Sequence, residues 1–222
     1  IVHTEAVVEW ARRERISIER AGHEVRYRVF ERVLKETGAA RVAVGHTMDD
    51  QAETVLLRML RGAGAAGLSG MHPRTDHVIR PLLNIRRAEL REYLVGEGAS
   101  FREDATNQDR SVPRNRVRHE LLPELRRYSP RVVETLAREA EILRHDEDYL
   151  ASRANELART CVQTSEGALL LDRAGLADTH PALARRVVRD ALAHVSSQSP
   201  GFELVERVRR LAEHPGGAVD LP

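Results

Sequence analysis

Cysteine is almost missing from this 222-residue chain: Cys161 is the only one. That excludes an internal disulfide, a cysteine-built zinc finger and any CxxC redox or sulfur-carrying pair. Lysine is as scarce. Lys35 stands alone among 35 basic residues, so the other 34 are arginines. Guanidinium forks suit phosphate, but a bias spread over the whole chain fits codon usage in a GC-rich genome and points to no particular place. Aromatic residues make up only 4%. No apolar run approaches the roughly 20 residues of a bilayer span. The opening Ile1-Val2-His3-Thr4-Glu5 has no basic stretch followed by an apolar one, so no secretory signal is expected. Charge of one sign is missing too. The net charge is +1, so any nucleic-acid surface must come from local clustering. The composition implies a soluble, cytoplasmic, membrane-free protein, and a start on Ile rather than Met reads as a processed or partial chain.

What is present is 41% hydrophobic and 31% charged, enough for a folded core. Ala6, Val7, Trp10 and Ala11 recur at helical spacing after Thr4, a suitable N-cap. Ser17 caps a longer helix that runs to Thr37 and stops at Gly38. Residues 39–44 form a short apolar run suited to a buried strand, and Asp49 to Leu60 carries one apolar helical face. A glycine-rich loop spans Gly62 to Pro73, another short strand spans His77 to Arg80, and a helix runs from Arg86 to Gly96. Helix–strand–helix–strand–helix implies an α/β layer with parallel strands. Residues 101–116 read as a polar loop, and helices over about 131–160, 181–195 and 202–213 dominate the rest, with 168–171 a short strand or buried turn.

The first candidate site is Gly45-His46-Thr47-Met48-Asp49-Asp50-Gln51-Ala52-Glu53-Thr54, where a strand hands over to a helix. Ligands of open parallel sheets bind beyond the carboxyl ends of strands. Asp49 and Glu53 are four apart and share a helical face; with His46 and Asp50 they suit a metal ion, an ammonium group or a metal-bound triphosphate. Thr47 and Asp50 also fit a capping box, and acids in a first turn complement the helix dipole. One carboxylate suffices for a cap, and no basic residue lies between His46 and Arg58. Arg61-Gly62-Ala63-Gly64-Ala65-Ala66-Gly67 contains GxGxxG, but it follows a helix and runs into a loop, the wrong context for dinucleotide binding. In the second helix Arg26 and Arg28 point about 200° apart, so at most one can face a site. Residues 110–131 hold seven arginines against Glu120 and Glu124, a local charge of +5 that suits a polyanion but lacks interleaved aromatics for stacking on bases. The remaining histidines form no HxxxH or HExxH pair and read as surface or packed residues. Cys161 reads as a small core residue within a helix, and Asp146-Glu147-Asp148 as a solvated helix face.

Gly45-His46-x-x-Asp49-Asp50-Gln51-x-Glu53-Thr54-x-x-Leu57, followed by Arg61-Gly62-x-Gly64-x-x-Gly67-Leu68, resembles the tRNA(Ile)-lysidine synthetase family. Glu24-x-Arg26-Tyr27, Arg80-Pro81-Leu82, Glu103-Asp104-x-x-Asn107-x-Asp109 and Arg114-Asn115-x-x-Arg118 extend the likeness over roughly residues 1–145. The resemblance implies an N-type ATP pyrophosphatase: a partial parallel-sheet, adenine-nucleotide α-hydrolase-like α/β domain over 1–125, then a mainly helical, tRNA-contacting domain over 126–222. It implies ATP-driven adenylation of the wobble cytidine of an isoleucine tRNA, pyrophosphate release, and attack by the ε-amine of free lysine. Carried onto these residues, His46, Asp49, Asp50 and Glu53 are catalytic, and Asp49 and Asp50 hold Mg²⁺. Arg26, Arg61, Gly62 and Gly64 meet ATP, and Arg114, Asn115, Arg116 and Arg118 grip the tRNA. A homodimer is compatible with the resemblance.

The family opens with a strand and an SGGxDS pyrophosphate loop, and no such sequence occurs here. The expectation is therefore a fragment that binds ATP weakly, is inactive alone and dissolves poorly through an exposed sheet edge. Two readings of other classes stand beside it: a non-catalytic tRNA-binding fragment, and a metal-dependent phosphohydrolase built on His46, Asp49, Asp50 and Glu53. A tRNA thiolase is disfavoured by the lone cysteine.

Overall fold

A computed structural model describes residues 3–102, 104–165, 168–195 and 200–213. Glu103 of the family motif, His214 and the final Asp220-Leu221-Pro222 lie outside the described residues. By its internal packing the chain divides into two compact units. The first comprises residues 1–63 and 70–140, the second 64–69 and 141–222.

In the first unit, α1 (Val7–Glu14) follows Ala6, and Thr4 does not cap it. The serine and glycine signals of α2 (Ile18–Thr37) act as expected. Ser17 Oγ accepts from the Arg20 amide, and Gly38 adopts φ +68°, a left-handed value that favours glycine. Trp10 ties the two helices: its indole donates to Glu24, and the guanidinium groups of Arg13 and Arg28 lie 4.2 and 4.1 Å from its ring. Strand β1 is only Val42–Ala43 and pairs in parallel with β3 (Val78–Ile79). A third strand, β2 (Arg74–Thr75), pairs antiparallel with β3. The sheet is therefore mixed, because the chain turns back through Asp76 at φ +48° instead of crossing over. Arg74 and Thr75 are exposed and polar, so no apolar pattern announced them.

Helix α3 (Met48–Leu60) starts with the full capping box of Thr47 and Asp50. Its apolar face, Ala52 and Leu56, packs against Val117, Leu122 and Val133. The loop after α3 contains α4 (Ala65–Leu68). Helix α5 (Arg87–Gly96) follows a tight turn. The polar stretch 101–116 is not wholly loop: it holds a 3-10 turn over Ala105–Gln108 and the start of a helical run. That run comprises α6 (Pro113–Arg116), a π turn over Val117–Leu121 and α7 (Leu122–Tyr128). Pro123 explains the π turn. Its ring has no N–H and crowds the carbonyl four residues back, so the helix widens, and the Leu122 amide bonds Val117, five residues back.

Helix α8 (Val132–Cys161) runs from the first unit into the second, the division falling at Ala140 and Glu141. Cys161 is its last residue, not a mid-helix one, and is buried. In the second unit β4 (Val162–Ser165) and β5 (Ala168–Leu171) form a hairpin. Then come α9 (Arg173–Ala177), α10 (Pro181–Val195) and α11 (Phe202–Glu213). Leu176, Val187, Val188, Leu192 and Val205 form the core there. Glu147 corrects the reading of an acidic solvated face. Asp146 and Asp148 are exposed, but Glu147 pairs with Arg186 and is largely covered.

Candidate functional site

The Met48 amide donates to the Ile85 carbonyl at 2.9 Å. This one bond sets the first turn of α3 beside the first residues of α5, and so brings Arg86 and Arg87 to the acidic cluster. Arg86 reaches both oxygens of Asp49 at 3.1 and 3.2 Å, and the Arg87 amide donates to Asp49 at 2.8 Å. Arg126 of α7 adds a contact at 3.3 Å, and Arg86 also pairs with Glu134. Asp50 is held from both sides. The Thr47 amide and hydroxyl donate to Oδ2 at 2.9 and 2.7 Å, while Arg87, Arg114 and Arg118 meet Oδ1 at 2.9, 3.2 and 3.4 Å. Glu53 has no exposed surface. Arg118 donates to both its oxygens at 2.7 and 3.0 Å and Arg114 to one at 2.8 Å. Arg114 and Arg118 are four residues apart on the helical run, which puts both on the face that meets α3.

Three carboxylates thus gather at the strand–helix junction, inside a cage of five guanidinium groups. Burial alone would raise the Asp49 carboxyl, but the Arg86 bond and the Arg87 amide outweigh it and hold it below the usual carboxylate range. Asp50 likewise stays low, burial being overcome by the Thr47 bonds and the charges of Arg87 and Arg114. The pairing raises Arg118. Burial lowers the His46 imidazole; the charges of Arg114, Arg80 and Arg26 lower it further, against the pull of Asp50. His46 is therefore neutral at physiological pH, and its Nδ1 is buried without a partner.

Three cavities open around this cluster. The largest, about 1320 Å³, is lined by Arg26, Tyr27, Gly45, His46, Arg114 and the 106–115 segment. A second, about 640 Å³, has Asp50 and Arg118 at one end and Phe101 among its walls. The smallest, about 250 Å³, is lined by Asp49, Glu53, Arg118 and Arg126.

The residues singled out from the sequence fare differently. His46, Asp49, Asp50 and Glu53 come together. Arg26 lines the largest cavity, whereas Arg28 turns to Trp10, in keeping with their opposed directions on α2. Arg61 and Gly62 sit at the far end of α3, roughly 16 Å of helix from Asp50. Gly62 takes φ +78° and Gly64 caps α4 without a side chain to offer. Arg114 and Arg118 turn inward to the acids rather than outward. Asn115 is buried and donates to the carbonyls of Thr106 and Asp109, both at 2.9 Å, so it braces the 105–109 turn. Arg116 is exposed, with Glu120 3.9 Å away. As paired here, Asp49 and Asp50 do not fit a divalent cation, since guanidinium groups already neutralise them, and no group of three or more His, Cys, Asp or Glu suited to a metal occurs among the described residues. Missed in the sequence were Arg86, Arg87 and Arg126. Nothing local links them to α3, and only the fold does so.

Residues 2–125 match the PP-loop domain family and residues 171–222 match the TilS substrate binding domain. The chain belongs to the tRNA(Ile)-lysidine synthetase family of PP-loop proteins. It is 42% identical over 205 residues to a tRNA(Ile)-lysidine synthase of Solibacter usitatus, covering 90% of this chain and 47% of that protein. A tRNA(Ile)-lysidine synthase of Geobacter sulfurreducens is 40% identical over 224 residues, 98% of this chain and 47% of the relative. One from Thermobifida fusca is 40% identical over 210 residues, 92% of this chain and 64% of the relative. The chain spans about half the length of the first two. The expected PP-loop α/β domain followed by a mostly helical region is therefore shown. No described helix is long and apolar enough to cross a membrane.

Proposed function

We propose that this chain carries the acidic centre of an enzyme that ligates free lysine to the wobble cytidine of an isoleucine tRNA. The observation that carries the reading is the fully buried Glu53 carboxylate beside the half-buried Asp50 just beyond β1, with Asp50 lining one cavity and Glu53 another. In the first step the 2-carbonyl oxygen of the base attacks the α-phosphorus of ATP and pyrophosphate leaves. In the second the lysine ε-amine attacks the same carbon of the base, AMP leaves with the oxygen, and the amine loses a proton.

The residues have matching tasks. Asp50 and Glu53 attract the ammonium of lysine, and an arriving amine takes the place that Arg118 now fills. His46, neutral and with a bare Nδ1, is suited to accept the proton. Arg26 and Arg114 meet phosphate charge in the largest cavity. Arg116 is placed for the tRNA backbone, whose contacts position without reading sequence. Mg²⁺ accompanying ATP would need a seat other than Asp49 and Asp50 as they are paired here. The phosphohydrolase reading gains no support from this geometry, because the acids face guanidinium groups rather than one another. A dimer and a cytoplasmic location remain part of the proposal.

The test is lysine incorporation into isoleucine tRNA by the protein carrying this chain at its natural length. Asp50→Asn is expected to lower kcat/KM for lysine by at least ~100-fold with ATP binding kept. Unchanged lysidine formation would remove Asp50 from the mechanism.

A further inference from the structure

The cavity of about 640 Å³ lies between α5 and the segment that follows it. Leu90 and Leu94 supply an apolar side, and Phe101, 44% exposed, supplies a ring. The guanidinium of Arg91 sits 5.6 Å from that ring. The chain has only eight aromatic side chains, four Tyr, three Phe and one Trp, so an exposed one in a cavity wall is informative. The floor is tied by side-chain hydrogen bonds. Asn107 Oδ1 accepts from Arg118 at 3.2 Å, its carbonyl meets His119 Nε2 at 2.9 Å, and Asn115 holds the turn from below. The inner end of the cavity is Asp50 with Arg118, and Gly45, which has open space where a Cβ would be, links it to the largest cavity.

A half-exposed aromatic ring flanked by cations, an apolar wall and a route to the reactive carboxylates is the set of features that receives an unstacked nucleobase. The one ring of the arginine-rich run, Tyr128, lines none of the three cavities, and the fold supplies Phe101 from outside the run. We propose that this cavity seats the cytosine base that is to be activated, with Phe101 as its stacking surface. The inference rests on the reading above for the identity of the base. It adds a direction of approach: the base enters from the α5 side, the nucleotide from the Arg26 side, and the amine through the small cavity beside Glu53.

The probe is a short RNA stem–loop with a central loop cytidine, compared with the same RNA made abasic at that position. Binding to the full chain is followed by fluorescence anisotropy at several salt concentrations. The wild type is expected to prefer the cytidine RNA by about tenfold, as stacking of one base would give. Phe101→Tyr keeps the preference. Phe101→Ala and Phe101→Leu, the second retaining apolar bulk without a π face, abolish it while the salt slope stays the same. Thermal melting of each variant checks that the fold is kept. The cavity assignment is overturned by equal wild-type affinity for the two RNAs, by a preference that survives in Phe101→Leu, or by a loss of ATP affinity in place of RNA discrimination. Lysidine formation by the wild type in any of those cases would leave the proposed reaction standing.

Discussion

Glu53 is the residue on which the cluster turns. It has no exposed surface, and its charge is tolerable only because Arg114 and Arg118 hold both oxygens. Removing one partner of such a set leaves the others buried and unpaired. Glu53→Ala should therefore cost about 3–5 kcal/mol in urea unfolding, while Arg116→Ala, at an exposed pair, should cost under about 1 kcal/mol. Equal effects of the two would mean that the cage is looser than described. The acids themselves were legible in the sequence, because strand, cap and three carboxylates are contiguous. Their partners were not. The nearest, Arg87, is 34 residues from Glu53, and the most distant, Arg126, is 77 from Asp49. The run of seven arginines suggested an outward phosphate surface, whereas three of them, Arg114, Arg118 and Arg126, pair with the acids.

Pro123 matters at the scale of the element. The π turn it forces contains Arg118, which donates to both oxygens of Glu53. Pro123→Ala restores an N–H and removes the steric reason for the wider turn, so the helix is expected to regularise and the register of Arg118 to shift. The expected outcome is a gain of about 1 kcal/mol or more in stability together with a fall in lysidine formation. Full activity in a more stable variant would show that the π turn has no positioning role. Helices were readable beforehand because 3.6-residue periodicity and local caps such as Ser17 and Gly38 agree with the packing. Strands were not readable at their true length. Each of β1, β2 and β3 has two residues, too few for a period-2 pattern, and β2 is polar. The 3-10 turn at 105–108 depends on Asp104 accepting from the Thr106 amide, a local signal inside a stretch that otherwise reads as loop.

At the scale of the whole molecule, each unit holds covered carboxylates against arginines. In the second, Glu206 bridges Arg185 at 2.5 Å and Arg209 at 3.2 Å. The Arg185 bond, reinforced by Arg209, lowers its carboxyl from an ordinary 4.5 to about 2. A depressed carboxyl stabilises the fold above its unfolded value and loses that contribution as pH falls from about 4.5 to about 2. Asp49 and Asp50 act in the same sense in the first unit, below their ordinary 3.8. Thermal melts should therefore be flat near neutrality and fall steeply below about pH 4.5, with Glu206→Gln flattening the fall by about 2 kcal/mol. An unchanged acid limb in that variant would contradict the assignment.

The composition of the cage has a chemical corollary. Among the described residues, every cation paired with Asp49, Asp50 and Glu53 is an arginine, and a guanidinium keeps its proton at any physiological pH. Such a group makes a poor nucleophile, whereas a neighbouring lysine amine would compete for an electrophilic carbon held a few ångströms away. If the lysidine reaction proposed above takes place here, a pocket lined this way offers the activated base no competing amine of its own, a by-product of the chain-wide preference for arginine.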